Sequence, residues 1–535
     1  VRDTATPPLR IPAGGSQLSK RVTEIIRSLL GSSRSASRRN WLGAVARLVS
    51  TMRPDLATQL VEHLGVEPSD ESPLAGLSIG EIGVVYEALV ALSDSRSRRE
   101  AGQYFTPDDV AAFMATEAAR FPTGTWLDPC CGVGNLAFHL ALVTPDAADF
   151  VANRLALIDI DKVALTTAVA LLIANFAAEG DAAALPALVA RSQPRDFLTA
   201  KTLPAHDFVI VNPPYARTAQ LPGRRTAKTG ELYAYFLERV ATESRGFVAI
   251  TPASHLGGAK YAPVRDILSG LGGGEVIVFD NVPDTCFRGY KYGSTNTSTT
   301  NFVRAAITIS SPAHDTWTVT PILRWAARSR VRMFHGARTK LVPLRTAPGG
   351  EWAKVMPGTE GVWDALTSPP SGRAETLKSL LAPAPTEFRL EVAATPRYYV
   401  SGTKRHLDRG SKHVLHFRNR ADFERAYLIL NSSLPYWWWR CLDGGVTLQA
   451  RTLMSLPLPP AGEPTEVTAA ALLQDLEASE TSDLVTKLNA GRENENVRRP
   501  RSLIDRIDAA LLPGLAYDFS DVYSSDMFSI DAVKE

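Results

Sequence analysis

The sequence predicts an α/β protein. Its central part reads as an open, mostly parallel sheet, preceded by a helical N-terminal region and followed by a mixed C-terminal part. Three observations lead there. Between about 100 and about 310, short apolar runs alternate with helical patterns. Three polar constellations sit at the ends of such runs: "DPCCGVGN" at 128–135, "DID" at 159–161 and "NPPY" at 212–215. Residues 21–64 and 79–93 space their apolar positions as helices do, and a polar "DSRSRRE" stretch follows at 94–100.

Taken in order, residues 1–20 are rich in Pro, Gly and Ser and are expected to form an arm, and "GSSRSASRRN" at 31–40 breaks the first helical stretch. The expected strands are "GTWLD" (124–128), "RLALIDI" (154–160), "HDFVIV" (206–211), "GFVAI" (246–250) and "EVIVF" (275–279). Helices are expected near 108–120, 134–143, 161–178, 231–243 and 260–269. Ligands of such sheets bind outside the carboxyl ends of the strands, which is where the three constellations fall. Residues 311–390 are Pro-rich and less periodic, so a domain boundary is placed there. Residues 391–460 are basic and aromatic. The remainder reads as helical at 466–490 and 501–512, joined by a polar "NAGRENENVRRPR" linker.

Bulk properties narrow the class. The chain has 535 residues, enough for roughly two to four domains. It is 45% hydrophobic and 21% charged, as a soluble globular protein is. No apolar run approaches a membrane span and no N-terminal signal pattern stands out, so a cytoplasmic location without a membrane partner is expected. Cys130, Cys131, Cys286 and Cys441 form no CxxC pair, so neither a metal site nor a disulfide framework is expected. The net charge of +2 is unevenly spread. Residues 1–53 carry ten Lys/Arg against two Asp/Glu, residues 397–451 ten against four, and residues 461–535 seven against fifteen. Two basic blocks in a near-neutral chain point to a polyanion touched at particular places, against the plainer reading of a solvated surface.

The constellations suggest chemistry. In "DPCCGVGN", Gly132 and Gly134 allow close approach of backbone to a ligand, and the following helix offers free N–H groups. The loop lacks the Gly-Lys-Ser/Thr of a phosphate loop and the third glycine of a dinucleotide fingerprint. Asp159, at the end of the second strand, can accept both hydroxyls of a ribose. In "QPRDFL" (193–198), Asp196 can accept from an exocyclic amine and Phe197 can stack on a purine. "NPPY" is a rigid platform. An aromatic amine such as N6 of adenine is a poor nucleophile, because its lone pair is delocalised into the ring. The Asn212 side-chain oxygen and the Pro213 carbonyl, aimed at its hydrogens, would push it toward tetrahedral geometry. Pro213 and Pro214 suit the task through their fixed φ, and Tyr215 would stack on the base. Such catalysis works by positioning and preorganised electrostatics.

"GQYFTP" (102–107), "DPCCGVGN", "IDID", "RDFL" and "NPPY" occur in an order that resembles the gamma class of S-adenosylmethionine-dependent DNA N6-adenine methyltransferases of restriction-modification systems. The resemblance covers roughly 79–310, and more loosely 391–460. It implies a helical region at 1–100, a Rossmann-like methyltransferase domain at 101–310, an α+β DNA target-recognition domain at 311–465 and a helical tail at 466–535. It assigns Tyr104, Thr106, Pro107, Asp128, Gly132, Gly134, Asp159, Asp196 and Phe197 to S-adenosylmethionine, with Thr106 and Pro107 at its methionine end. It assigns Asn212, Pro213, Pro214 and Tyr215 to catalysis, and Phe287 to packing against a flipped-out base. Two departures stand out: Cys130-Cys131 in the glycine loop, read as small packing residues, and Asp159 where Glu is commoner.

An adenine inside a duplex cannot reach such a platform, so the resemblance implies base flipping. Double-stranded DNA is then the partner. Arg397, Lys404, Arg405, Arg409, Lys412 and Arg418 are the candidates for phosphate or base contacts. "YWWWR" at 436–440 could stack on bases, but a hydrophobic core under a sheet is the preferred reading. Residues 1–100 lack an Asp…Glu-x-Lys trio, so no DNA cleavage by this chain is expected, and a separate nuclease or defence subunit would fit. The alternatives are methylation of cytosine N4, RNA or a protein glutamine, or a DNA-binding module with a vestigial pocket.

Overall fold

In the computed structural model, residues 20–93, 106–287, 291–292, 295–296, 303–369, 372, 374–396, 398–442, 447–460, 464–489 and 492–529 are described. Tyr104 and Arg397 lie outside the described residues, as do residues 1–19 of the arm expected at 1–20 and the "DSRSRRE" stretch; Lys20 begins a helix, Lys20–Leu29. The chain divides into two compact units. One comprises residues 1–255, 260–318 and 325–334, the other 256–259, 319–324 and 335–535. Among the described residues no helix is long and apolar enough to cross a membrane.

The first unit is a Rossmann-like α/β fold. Its strands are β1 (Trp126–Asp128), β2 (Leu155–Asp159), β3 (Ser192–Pro194), β4 (Phe208–Val211), β5 (Gly246–Pro252), β6 (Gly274–Phe279) and β7 (Ala305–Ser310). They stand in the order β6-β7-β5-β4-β1-β2-β3. Strands β5, β4, β1, β2 and β3 run parallel, and β7 is inserted antiparallel between β5 and β6. All five strands read from the sequence are present. Every residue of β1, β2, β4, β5 and β6 is buried, which is why they read as unbroken apolar runs. Strand β3 escapes such a reading because it is a polar edge strand with no fully buried residue. The chain order reverses between β1 and β4. That reversal opens a crevice at the carboxyl ends of these two strands.

The helices flanking the sheet include α1 (Asp108–Ala118), α2 (Asn135–Val143), α3 (Lys162–Phe176), α4 (Leu232–Glu243) and α5 (Ala262–Ser269), close to their expected positions. The Asp161 carboxylate starts α3 by accepting from the Val163 N–H at 2.9 Å. The loop into α2 needs glycine at 134: φ is +93°, and a Cβ there would stand 3.0 Å from the Ala168 Cβ of α3.

Helices Arg34–Met52 and Ile79–Ser93 pack in the same unit. Trp41, fully buried, donates its indole N–H to the Thr167 hydroxyl of α3 at 2.9 Å. The Tyr86 hydroxyl donates to Asp161 at 2.7 Å. The N-terminal helices thus shield one face of α3 and reach the loop after β2.

The second unit is α+β. Strand β8 (Arg389–Ala393) pairs antiparallel with β9 (Gly402–Thr403) and β10 (Lys412–His416). Tyr436, Trp437, Trp438 and Trp439 are at most 2% exposed. They are core residues as preferred above, although they sit on a helix, Leu434–Leu442. The helix expected at 466–490 ends at Ala478, and a hairpin of Leu484–Asn489 with Arg492–Val497 follows. The second strand is polar along most of its length and carries no apolar pattern, and the first was read as the end of the preceding helix. Arg499, with no exposed side-chain surface, closes this region by bonding Glu480 at 3.0 Å and Asp483 at 3.1 Å.

Candidate active site

The crevice holds a cavity of about 530 Å³, well inside the range of roughly 300–1,000 Å³ of small-molecule sites. Thr106, Asp128, Gly132, Asp159, Asp196, Phe197, Asn212 and Pro214 all line it. Residues from five separate stretches of chain therefore converge on one space. Gly134 and Pro107 do not line it. Gly134 packs against Ala168, and Pro107 caps the start of α1.

Asp128 ends β1. Burial pushes its carboxyl up to about 8. One oxygen receives the Cys130 N–H at 3.4 Å, while Oδ2 is buried with no hydrogen-bond partner in the protein. Asp159 ends β2, and burial raises it to about 6 against the opposing effect of backbone N–H groups, of which two are the main ones. These come from Asp161 and Gly132, both at 2.8 Å. Asp159 therefore also ties the glycine loop to the loop after β2, and each of its oxygens keeps a further lone pair. Asp196 accepts from the Leu198 N–H at 2.9 Å and the Thr199 hydroxyl at 3.2 Å. Phe197 is 3% exposed, meets Phe236 at 5.0 Å with the rings tilted by 30°, and carries the Arg239 guanidinium over its ring at 4.9 Å. Burial pushes the Cys130 and Cys131 thiols well up, which disfavours their thiolate forms. The Cys130 thiol donates to the Asn212 carbonyl at 3.1 Å, joining the glycine loop to the platform.

At the end of β4, the Asn212 amide nitrogen donates to the Thr106 hydroxyl at 2.8 Å. The Tyr215 hydroxyl donates to Asn212 Oδ1 at 2.6 Å, with the Ile250 carbonyl 3.0 Å away on its other side. Pro213 is buried and Pro214 half-buried. The Tyr215 ring meets Phe287 edge-on at 5.5 Å, so the structure brings these two aromatics together. Phe287 is 1% exposed. In this arrangement it supports Tyr215 and offers no free face.

Ile160, Tyr86 and Gly83 are among the lining residues that sequence reasoning missed. Ile160 is 72% exposed and lies between Asp159 and Asp161. An apolar side chain flanked by acids just past a strand end was a usable signal. Tyr86 and Gly83 come from an N-terminal helix, and nothing local announces them.

The candidate DNA contacts, all in the second unit, differ from one another. Arg409 is buried and bonds the carbonyls of Ser411 and Glu495 at 2.9 and 3.0 Å. Lys412 pairs with Glu391 at 2.8 Å and is 17% exposed. These two hold the unit together. Lys404 pairs with Glu477 at the surface, Arg405 meets the Thr481 hydroxyl at 3.1 Å, and Arg418 pairs with Asp422 at 2.9 Å; all three are exposed.

The chain is similar to several solved structures. DrdV, from a complex with DNA, is 12% identical over 62% of this chain and 42% of that one, with a TM-score of 0.41. This chain thus spans less than half the length of DrdV. A modification subunit of a putative type I restriction enzyme from Vibrio vulnificus YJ016 is 11% identical over 56% and 71%, at 0.37. The type IIG restriction endonuclease BpuSI is 12% identical over 96% and 79%, at 0.40. No curated protein matches the chain. Residues 78–246, which carry the cavity's glycine loop, both strand-end aspartates and the Asn-Pro-Pro-Tyr platform, match the family model described as N-6 DNA Methylase.

Proposed function

We propose that this chain methylates N6 of a flipped-out adenine in double-stranded DNA, with S-adenosylmethionine as methyl donor, in a restriction-modification or phage-defence setting. One observation carries the reading. A single cavity is lined by Asp159 and Asp196, which can accept from ribose hydroxyls and an adenine amine, and by Asn212 and Pro214 of the platform.

The residues fit the cofactor. Asp128 Oδ2 has no hydrogen-bond partner in the protein, and a cation seated beside it would ionise the carboxyl and bond to that oxygen. Exposed Ile160 and buried Phe197 offer apolar contact to a purine. Asp159 would hold the ribose, and Asp196 the adenine amine. When bound, the cofactor supplies an electrophilic methyl group on a sulfonium. The Asn212 oxygen and the Pro213 carbonyl would accept the two hydrogens of the target amine and so expose its lone pair. The methyl group would pass from sulfur to that nitrogen, and the amine would then lose its extra proton to water. Tyr215, released from Asn212, would stack on the base.

The test is transfer of label from S-adenosylmethionine to unmethylated genomic DNA, followed by nucleoside analysis. Label in N6-methyladenine is expected. Label in N4-methylcytosine would correct the base, and cofactor binding without DNA methylation would remove the substrate assignment.

The raised carboxyl of Asp128 makes cofactor binding pH-dependent. With its value near 8, Asp128 is mostly protonated at pH 7 in the free site. A cation seated beside it favours the ionised form. Binding therefore releases a proton, and affinity climbs from pH 6 to about 8 before levelling off. Calorimetry in buffers of different ionisation enthalpy reads the release directly. A flat pH profile would remove Asp128 from the site.

Lys404 and Arg405 are exposed neighbours, and a surface pair such as Lys404–Glu477 gives up its partner at little cost. Neutralising both is expected to lower the slope of log affinity for DNA against log salt by roughly 0.9 for each phosphate that is no longer neutralised. Cofactor affinity should not change. An unchanged slope would place the DNA footprint elsewhere.

A further inference from the structure

Asn135 is the first residue of α2 and has no role in the reading above. It lines the cavity and is 6% exposed. Its Nδ2 donates to the Thr106 carbonyl at 2.6 Å. A carbonyl oxygen can only accept, so this contact decides which end of the carboxamide faces Thr106. Oδ1 is thereby turned away, and it is buried without a hydrogen-bond partner in the protein. The cavity holds a second such oxygen, Asp128 Oδ2. Buried acceptors are rarely left unpaired unless a donor arrives from elsewhere.

The other side of Thr106 leads to the platform. Its hydroxyl accepts from Asn212 Nδ2 at 2.8 Å. Asn135 thus lines the cavity with a partnerless Oδ1 and, through Nδ2, stands two hydrogen bonds from the Asn212 side chain.

We propose that Asn135 has two functions, binding the α-ammonium of the cofactor's amino-acid tail through Oδ1 and positioning Thr106, and through it Asn212, through Nδ2. The inference rests on the cofactor assignment above. The adenosine end is already provided for by Asp159, Asp196 and Phe197. What remains is the tail. Asn135 Oδ1 has no donor in the protein, and Asp128, ionised by an arriving cation, adds Oδ2 as a second acceptor lining the same cavity. An ammonium, with three N–H groups and a positive charge, suits them; a carboxylate would be repelled. Asn135 is a positioning residue toward Asn212, which it does not touch.

Binding to the full chain should be measured for S-adenosylmethionine and for 5′-methylthioadenosine, which lacks the amino-acid tail. Asn135→Ala is expected to weaken the first by about 10- to 100-fold, the worth of a hydrogen bond to a charged group. It should leave the second unchanged, which also shows that the variant is folded. Asn135→Asp keeps an acceptor and adds a charge, so S-adenosylmethionine should bind at least as tightly. Its carboxylate cannot donate to Thr106, however, so kcat at saturating cofactor should fall by about tenfold or more through misplacement of Asn212. Thr106→Val should lose turnover likewise, and Thr106→Ser should retain it. Equal weakening of both ligands by Asn135→Ala would reduce the residue to a structural one and overturn the proposal. Wild-type turnover in Asn135→Asp would overturn the positioning half. A wild-type chain that binds neither nucleoside would overturn the cavity assignment and this inference together. Wild-type binding with no effect of Asn135→Ala would overturn the inference alone.

Discussion

Asn212→Ala is expected to lower kcat for methyl transfer by about 100- to 1,000-fold, the typical cost of removing one preorganised polar group from a reacting centre. The Asn212 carboxamide cannot turn freely. Its nitrogen is engaged by the Thr106 hydroxyl at 2.8 Å, so its oxygen is held on the opposite side, where the Tyr215 hydroxyl now meets it at 2.6 Å. An amine arriving in place of that hydroxyl finds an acceptor already aimed. Alanine removes the acceptor and frees Thr106 and Tyr215 together. Asp128, Asp159 and Asp196, the carboxylates proposed to hold the cofactor, stand at or just after three other strand ends, so cofactor affinity should survive. Single-turnover kinetics with cofactor calorimetry separates the two quantities. Turnover at the wild-type rate would remove the platform mechanism. Loss of cofactor binding would recast Asn212 as a cofactor ligand.

Arg499→Ala is expected to destabilise the second unit by about 3–5 kcal/mol, the cost of leaving buried charges without their partner. The Arg499 guanidinium is fully buried and reaches Glu480, Asp483, the Asn431 oxygen, the Ser479 hydroxyl and the Tyr427 hydroxyl at 3.0–3.1 Å. Burial by itself would raise the Glu480 carboxyl. The Thr403 and Tyr427 hydroxyls and the Arg499 charge overcome that and hold it below its ordinary value. A carboxyl lowered in the folded state stabilises above its unfolded pKa of roughly 4.3, and the contribution fades as pH falls through the lowered value. In the variant, the two carboxylates become costly when ionised, and protonation relieves them. The difference in stability between wild type and variant should therefore shrink as pH falls from 7 toward 4. Urea unfolding at several pH values reads it. A loss under about 1 kcal/mol, or a difference that grows with acid, would mean that this network contributes little beyond the cost of burying it.

Much of the sheet was legible in the sequence because parallel strands buried on both faces must be apolar throughout. "HDFVIV" and "RLALIDI" could hardly be anything else. Strand β7 was missed because it pairs antiparallel from a distant part of the chain, with Ile307 opposite both Ile250 and Ile277. The hairpin at 484–497 was missed because its second strand is polar along most of its length. Charge counting found the basic block at 397–451 but could not tell exposed Arg405 from buried Arg409. Burial depends on what packs above a residue, not on its neighbours in sequence.

The site divides the same way. The sequence by itself determined the local devices at the strand ends: a glycine loop after Asp128, a carboxylate at Asp159 and a proline-stiffened turn after Asn212. Each is a constraint on φ or on side-chain chemistry within a few residues. Only the tertiary structure decided that Asn135 braces Thr106 across 29 positions, that the Cys130 thiol reaches the Asn212 carbonyl across 82 and that Asn212 leans on Thr106 across 106. Those contacts exist because β1 and β4 lie side by side where the chain order reverses, and strand order is a property of the whole sheet that no local stretch encodes.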